Sequence, residues 1–348
     1  VSTRNNLLAI LPGLAFAVAI ALAAKGISYA LNGVVSAILC AVLLGILWRN
    51  LAAIGPWAEP GLEFAGQTLL RIGIALIGLR LTWNVLAESG MTALPLVIAC
   101  VSVALIVTVG VGRLLGVQVG IRRLLAAGTA ICGCTAIIAI APLLRAQKAE
   151  VAIAITCVVL FGSIAMVAYP WLAGIIFGPD AVHAGMFFGA SIHDTSQVVG
   201  ASLIYAAQFN APDAVAIAGF TKFLRTSGLL VLVPVAAMWM ANSGSAPVAH
   251  QSKELRRRAV PGFVIVFMLL AGVRSLGDYL AAGADWSGLW QQALVLAQRA
   301  SELLLLCGLA AVGLGITFAH LREAGWRPVL LSFVAALATG ATALMMLL

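Results

Sequence analysis

The sequence predicts an all-α polytopic membrane protein, and three observations carry that prediction. Of 348 residues, 63% are hydrophobic and 9% charged, whereas a soluble domain is about 45–50% apolar and about 25% charged. Apolar runs long enough to span a bilayer recur along the whole chain. The basic residues lie between these runs rather than in one patch. A soluble fold lacks the polar surface it needs here, and a disordered chain would be poor in apolar residues. The formal net charge of +8 reads as a topology signal and not as a nucleic-acid footprint.

A spanning helix needs about 20 mostly apolar residues. On that ruler the chain holds about eleven segments, near 7–24, 33–48, 64–82, 92–112, 122–144, 150–177, 183–207, 213–241, 259–276, 288–318 and 327–347. The first run is long enough to span, and no signal peptide is expected there. Segments 33–48 and 259–276 are short or weak, and 183–207 is interrupted by polar residues. The chain is treated as one membrane domain over 1–348, with a basic loop at 242–258 that carries Lys253, Arg256, Arg257 and Arg258.

With a cytoplasmic N-terminus, the cytoplasmic ends and loops hold Arg4, Arg49, Arg113, Arg122, Arg123, the four basic residues of 253–258, Arg322 and Arg327. The opposite side holds Lys25, Arg80, Arg145, Lys148 and Arg274. The positive-inside rule then places the N-terminus in the cytoplasm and the C-terminus on the far side. Arg71, Lys222, Arg225 and Arg299 fall inside segments. Arg299 and Glu302 read as a local i, i+3 pair, while Arg71 either snorkels or joins a cavity.

Two stretches, 69–90 and 304–325, share ten identities in 22 positions at an offset of 235, among them Leu70/Leu305, Gly73/Gly308, Gly78/Gly313, Thr82/Thr317 and Glu88/Glu323. They lie in the third and tenth segments and therefore cross in opposite directions, which is the mark of an inverted repeat.

Three polar centres interrupt the apolar pattern. The first, Gly128 to Ala136 (GTAICGCTA), places Gly and Thr inside a span, so the helix either unwinds there or packs closely through small residues. The second, Gly189 to Gly200 (GASIHDTSQVVG), concentrates Ser191, His193, Asp194, Thr195, Ser196 and Gln197 between flanks too short to span alone. A broken membrane helix is the reading. The third, Gly219 to Gly228 (GFTKFLRTSG), puts Lys222 and Arg225 at i and i+3 on one face, deep in a span. Such cations bind an anion, neutralise Asp194, or do both.

Enzymatic function is not expected. Ser191, His193 and Asp194 are near neighbours, whereas a triad converges from separate elements, and no nucleophile elbow is present. Cys40, Cys100, Cys157 and Cys307 lie singly in apolar runs, and the Cys132/Cys134 pair has no partner at metal spacing. No disulfide framework, metal site or cofactor is expected.

The GTAICGxTA run at 128–136, the SIHDTSQV run at 191–198 and the TKxLR run at 221–225 together resemble the YeiH-type sulfate exporter family of bacterial inner-membrane proteins. The resemblance covers essentially the whole chain and is most specific at His193–Gln197. That family is similar to bile-acid-symporter-like and sodium/proton-antiporter-like transporters. It implies inverted repeats and two broken helices crossing near the bilayer midplane, here at 128–136 and 191–198. The expected function is secondary transport, as an exporter, of a small anion such as sulfate, sulfite or a small sulfonate by alternating access. A sodium/proton antiporter on the same fold and a passive anion channel are the alternatives.

The expected substrate ligands are Lys222 and Arg225 for charge, backbone N–H groups from Gly128 to Gly133, and Thr129, Cys132, Thr135, Ser191, His193, Thr195, Ser196 and Gln197. Asp194 and His193 are the candidates for proton or cation coupling. The partners are the anion, the bilayer, a coupling proton or sodium ion, and a second copy of the chain as a homodimer; no nucleic acid is expected. An inside-negative potential would itself drive export, since two charges at 100 mV are worth about 4.6 kcal/mol.

Overall fold

The computed structural model describes residues 3–31, 35–52, 54–80, 83–228, 262–282, 286–317 and 325–348. The basic loop 242–258, most of the second half of the 213–241 segment, and Thr82, Leu321 and Glu323 of the repeat lie outside the described residues. So does Arg322. Among the described residues the secondary structure is helical throughout.

In chain order the helices are α1 (Thr3–Ala30), α2 (Ala37–Leu51), α3 (Glu59–Phe64), α4 (Leu70–Ile77), α5 (Trp83–Leu114), α6 (Val119–Ala130) and α7 (Cys134–Ile140). They continue with α8 (Lys148–Phe177), α9 (Ala181–Ser191), α10 (Thr195–Phe209), α11 (Asp213–Ser227), α12 (Gly262–Ala281), α13 (Ser287–Gly315) and α14 (Trp326–Leu347). A π-turn, Ala65–Leu69, joins α3 to α4, and a 3-10 turn, Gly78–Arg80, ends that stretch. Six described stretches are continuous, long and apolar enough to cross a membrane: Ala9–Ala30, Glu59–Arg80, Gly90–Leu114, Lys148–Phe177, Ser287–Gly315 and Trp326–Leu347. The 33–48 segment is a 15-residue apolar helix, α2. The 122–144 and 183–207 segments are each two half-helices rather than one rod.

The chain groups into two compact units. Unit 1 comprises Val1–Leu86, Leu203–Ala216 and Phe263–Phe318, and unit 2 comprises Ala87–Ser202, Ile217–Gly262 and Ala319–Leu348.

Unit 1 is organised around α13, which packs on α1, α2 and α4. Ile20, Ala21, Ala24, Cys40, Ala41, Leu306, Ala310 and Leu314 form its core. Small residues let these backbones touch, as small-residue contacts do in membranes. A Cβ on Gly45 would lie 2.7 Å from the Ala310 oxygen, and one on Gly313 would lie 2.5 Å from the Val42 oxygen. The repeat copies meet reciprocally. A Cβ on Gly73 would lie 2.8 Å from Leu305, and one on Gly308 would lie 2.9 Å from Leu70. Residue 70 faces 308 and residue 73 faces 305, so the two stretches run antiparallel. Glu302 pairs with Arg80, at 2.8 Å, and not with Arg299 as the i, i+3 spacing suggested. Arg71 is exposed on its span.

Among the described residues, unit 2 shows two apolar clusters. One gathers Ala104, Ala127, Ala130, Ile131, Cys132, Ala136, Ile140 and Leu143 around the α6–α7 interruption. The other joins α6 and α8 to Leu331 of α14 through Leu124, Leu125, Ile137, Cys157 and Val158. A capping box between Gln147 and Glu150 starts α8. The Asp180 carboxylate accepts from Val182 N and His183 N to start α9.

Candidate functional site

Both helix interruptions lie in unit 2, and they match at an offset of 61: Gly128–Gly133 against Gly189–Asp194. α6 stops at Ala130, and α7 restarts after Gly133, which has φ +68 and ψ −128. That backbone region suits glycine. A side chain there would also come within 3.2–3.3 Å of Asp194. α9 stops at Ser191, and α10 restarts at Thr195. The Asp194 carboxylate caps α10, with its Oδ1 accepting from Ser196 N at 2.9 Å and from Ser196 Oγ at 2.5 Å.

A helix end leaves its last carbonyls without intrahelical partners, and buried ones must be paired. At the end of α6, Ile131 N takes the Ala127 oxygen and Gly133 N takes the Gly128 oxygen. The next three oxygens are taken by cations of α11. Arg225 Nη2 donates to Thr129, Arg225 Nε to Ala130 at 2.9 Å, and Lys222 Nζ to Ile131 at 3.2 Å. The end of α9 is treated alike. Arg225 Nη1 donates to Ala190 O at 2.7 Å and to Ile192 O at 3.1 Å, while Lys222 Nζ donates to Ile192 O at 2.7 Å and to His193 O at 2.5 Å. Two side chains one turn apart therefore tie the negative ends of two half-helices together, which is where a helix dipole favours positive charge. Close backbone approach makes this reach workable: a Cβ on Gly189 would lie 2.6 Å from the Ala218 oxygen and 3.0 Å from Lys222 N.

Lys222 is 1% and Arg225 0% exposed. Among the described residues, no carboxylate lies within 4.0 Å of either. All three Lys222 donors and four of the five Arg225 donors are spent on carbonyls. The hydrogen bonds are satisfied, but the charge is not neutralised by a contacting acid.

The other expected ligands divide into two groups. Thr129, Ser191 and Gln197 brace helices. Thr129 Oγ1 donates to Leu125 O and lies 3.2 Å from Thr108 Oγ1, and Ser191 Oγ donates to Phe187 O. Gln197 Nε2 donates to Val159 O at 2.9 Å and to Ser163 Oγ at 3.0 Å on α8. Gly128 packs against Ile137 and Val158, and Cys132 is buried in the apolar core. Asp194, Thr195 and Ser196 are half-buried and Thr135 is exposed, so these face accessible space at the restarts. His193 is 2% exposed, and neither of its ring nitrogens has a hydrogen-bond partner among the described residues. Thr108 and Ser163, the bracing partners, escaped the sequence reading because a single hydroxyl in an apolar run carries no pattern.

The chain matches the family model described as "Conserved hypothetical protein 698" over residues 12–332, a span that contains both interruptions and both cations. It is 31% identical over 318 residues to the UPF0324 membrane protein YPO1307/y2878/ of Yersinia pestis, covering 87% of this chain and 82% of that protein. It is 34% identical over 292 residues to the UPF0324 membrane protein TauZ of Paracoccus pantotrophus, covering 83% and 81%. With TauZ of Paracoccus denitrificans the identity is 33% over 328 residues, covering 93% and 91%. No solved structure matches. The helical spans, the two interrupted helices and this extent of similarity lead to one conclusion: the chain belongs to the UPF0324 family of membrane proteins.

Proposed function

We propose that the chain is a secondary transporter, working as an exporter, of a small anion such as sulfate, sulfite or a small sulfonate. One observation carries the reading: Lys222 and Arg225 are buried where both interrupted helices end, with no acid in contact among the described residues. Burying charge in a membrane protein is costly, and ionisable groups there mark substrate or ion pathways. Carbonyl dipoles satisfy these two cations locally, and Asp194 offsets one formal charge of two. A visiting anion offsets the other.

The division of labour differs from direct ligation by the cations. Lys222 and Arg225 supply field from behind the carbonyl ends. Contact falls to the accessible hydroxyls of Thr195 and Thr135, with the positive end of the 15-residue α10 behind the first; the Ser196 hydroxyl hydrogen is already donated to Asp194. In this reading Asp194 and His193 carry the coupling proton, and a His193 ring with no hydrogen-bond partner among the described residues supports it. The reciprocal 70/308 and 73/305 contacts support an inverted repeat, with about eleven crossings, broken helices crossing at the midplane, and alternating access of one bundle against the other. The cytoplasmic N-terminus, the inner-membrane location and a homodimer belong to the same reading.

The test is thermal stabilisation of the purified protein by sulfite, sulfate, thiosulfate and small sulfonates. At least one should stabilise the wild-type chain and fail to stabilise Lys222→Met. Equal stabilisation of both proteins by every anion would remove the site assignment. An antiporter centred on Asp194 instead predicts that Asp194→Asn abolishes sodium-dependent pH changes while Lys222→Met retains them.

A further inference from the structure

Unit 1 contains a cavity of about 800 Å³ that the account above does not use. Lys25 of α1, Arg80 at the end of the 3-10 turn, and Arg299 of α13 line it, together with a single acid among the described residues, Glu302. Three cations against one carboxylate leave a formal surplus of two positive charges. Arg80 is the most enclosed of the three, with its side chain 15% exposed. Its Nη2 donates to Glu302 Oε1 at 2.8 Å, and its buried Nε has no partner among the described residues. Glu302 is itself shared, because Gln298 Nε2 also donates to it at 3.1 Å. The remaining wall is largely apolar and includes Leu303 and Leu306.

Size and lining together narrow the ligand. Pockets for organic ligands span about 300–1,000 Å³ and combine apolar walls with a few placed polar groups. An inorganic oxyanion would occupy a small part of this space and leave the apolar wall unused. We propose that the cavity binds an amphipathic organic anion, with a carboxylate or sulfonate head on Arg80 and Arg299 and a short apolar chain against Leu303 and Leu306. The head competes with Glu302 for Arg80 and takes the unpartnered Nε. This site shares no residue with the carbonyl clamp, and its occupancy requires no flux.

The experiment is calorimetric titration of the full chain in nanodiscs of zwitterionic lipid, with empty discs subtracted. The probes are sulfate, methanesulfonate and hexanesulfonate. Five additional methylenes should make hexanesulfonate bind at least about tenfold tighter than methanesulfonate. Arg80→Gln/Arg299→Gln should weaken hexanesulfonate by about tenfold or more. Arg299→Gln alone, at an exposed position, should weaken it several-fold without any question of folding. Ala207→Trp, an exposed lining position, should weaken hexanesulfonate and leave methanesulfonate unchanged. Affinity independent of chain length, or unaltered in the double variant, would overturn the proposal. Doping the discs with anionic phospholipid separates a soluble anion from a lipid headgroup. Unchanged affinity fits the proposal, and strong competition would assign the cavity to lipid and overturn it.

Discussion

Two cationic clusters among the described residues are built on opposite principles. Lys222 and Arg225 are buried, and their donors end on backbone oxygens of helices that stop early. Lys25, Arg80 and Arg299 line an open cavity, and among the described residues only Arg80 there has a contacting acid. In the first cluster, charge serves the backbone: without it, six buried carbonyls would lose these partners. In the second, none of the three cations donates to a backbone oxygen among the described residues, and the Arg80 bond goes to a carboxylate. Equal side-chain chemistry thus has different consequences according to what each donor reaches.

That contrast makes stability the first way to break the comparison. Arg225→Met removes the donors to Thr129, Ala130 and Ala190, and each orphaned buried group costs about 1–3 kcal/mol. The loss should therefore be at least about 3 kcal/mol and should appear as a large drop in Tm in detergent. Arg299→Gln should cost no more than about 1 kcal/mol, as exposed charges do. Similar melting of the two variants would mean that the clamp does not hold the half-helices. Lys222→Met keeps the Arg225 bonds, so its defect should be larger in anion exchange than in Tm. A loss confined to Tm would make Lys222 structural only.

Gly133→Ala tests the restart itself. At φ +68, a backbone region that L side chains rarely adopt, it should cost about 1–3 kcal/mol and push against Asp194. Limited proteolysis and Tm would report it; a neutral result would contradict the tight restart. The smallest effect belongs to Asp180, outside the spans. Partial burial raises its carboxyl pKa, but bonds from the His183 amide and imidazole and from Val182 N outweigh this and hold it below 3.8. Its contribution is therefore complete above that value and is lost as pH falls through the lower folded-state pKa. Asp180→Ala should cost about 1 kcal/mol near neutrality, and its Tm gap to wild type should close in acid. A gap that persists in acid would show that the carboxylate is not the source.

Much of this arrangement was legible in the sequence. Polar runs inside apolar segments marked both interruptions at 128–136 and 189–200, and the i, i+3 spacing put Lys222 and Arg225 on one face. The matched Gly73 and Gly308 marked positions that prove to be helix contacts. What the sequence could not display is which backbone groups a helix end leaves unpaired. The cations therefore read as substrate ligands, although their donors reach carbonyls. Thr129, Ser191 and Gln197 were indistinguishable from ligands for a similar reason: a hydroxyl or amide in a span either faces a cavity or braces a neighbour, and only the neighbour decides. Glu302 fell to Arg80 instead of Arg299 because a contact across 222 residues of sequence leaves no local pattern.

The central claim is that the chain carries a small anion past the two half-helix ends. Its most direct test is exchange of labelled sulfite, sulfate or a small sulfonate in proteoliposomes loaded with unlabelled anion. The account predicts saturable uptake that is accelerated by anion on the opposite side and lost in Lys222→Met. Uptake that neither saturates nor responds to the trans anion, or that is undiminished in Lys222→Met, would contradict it.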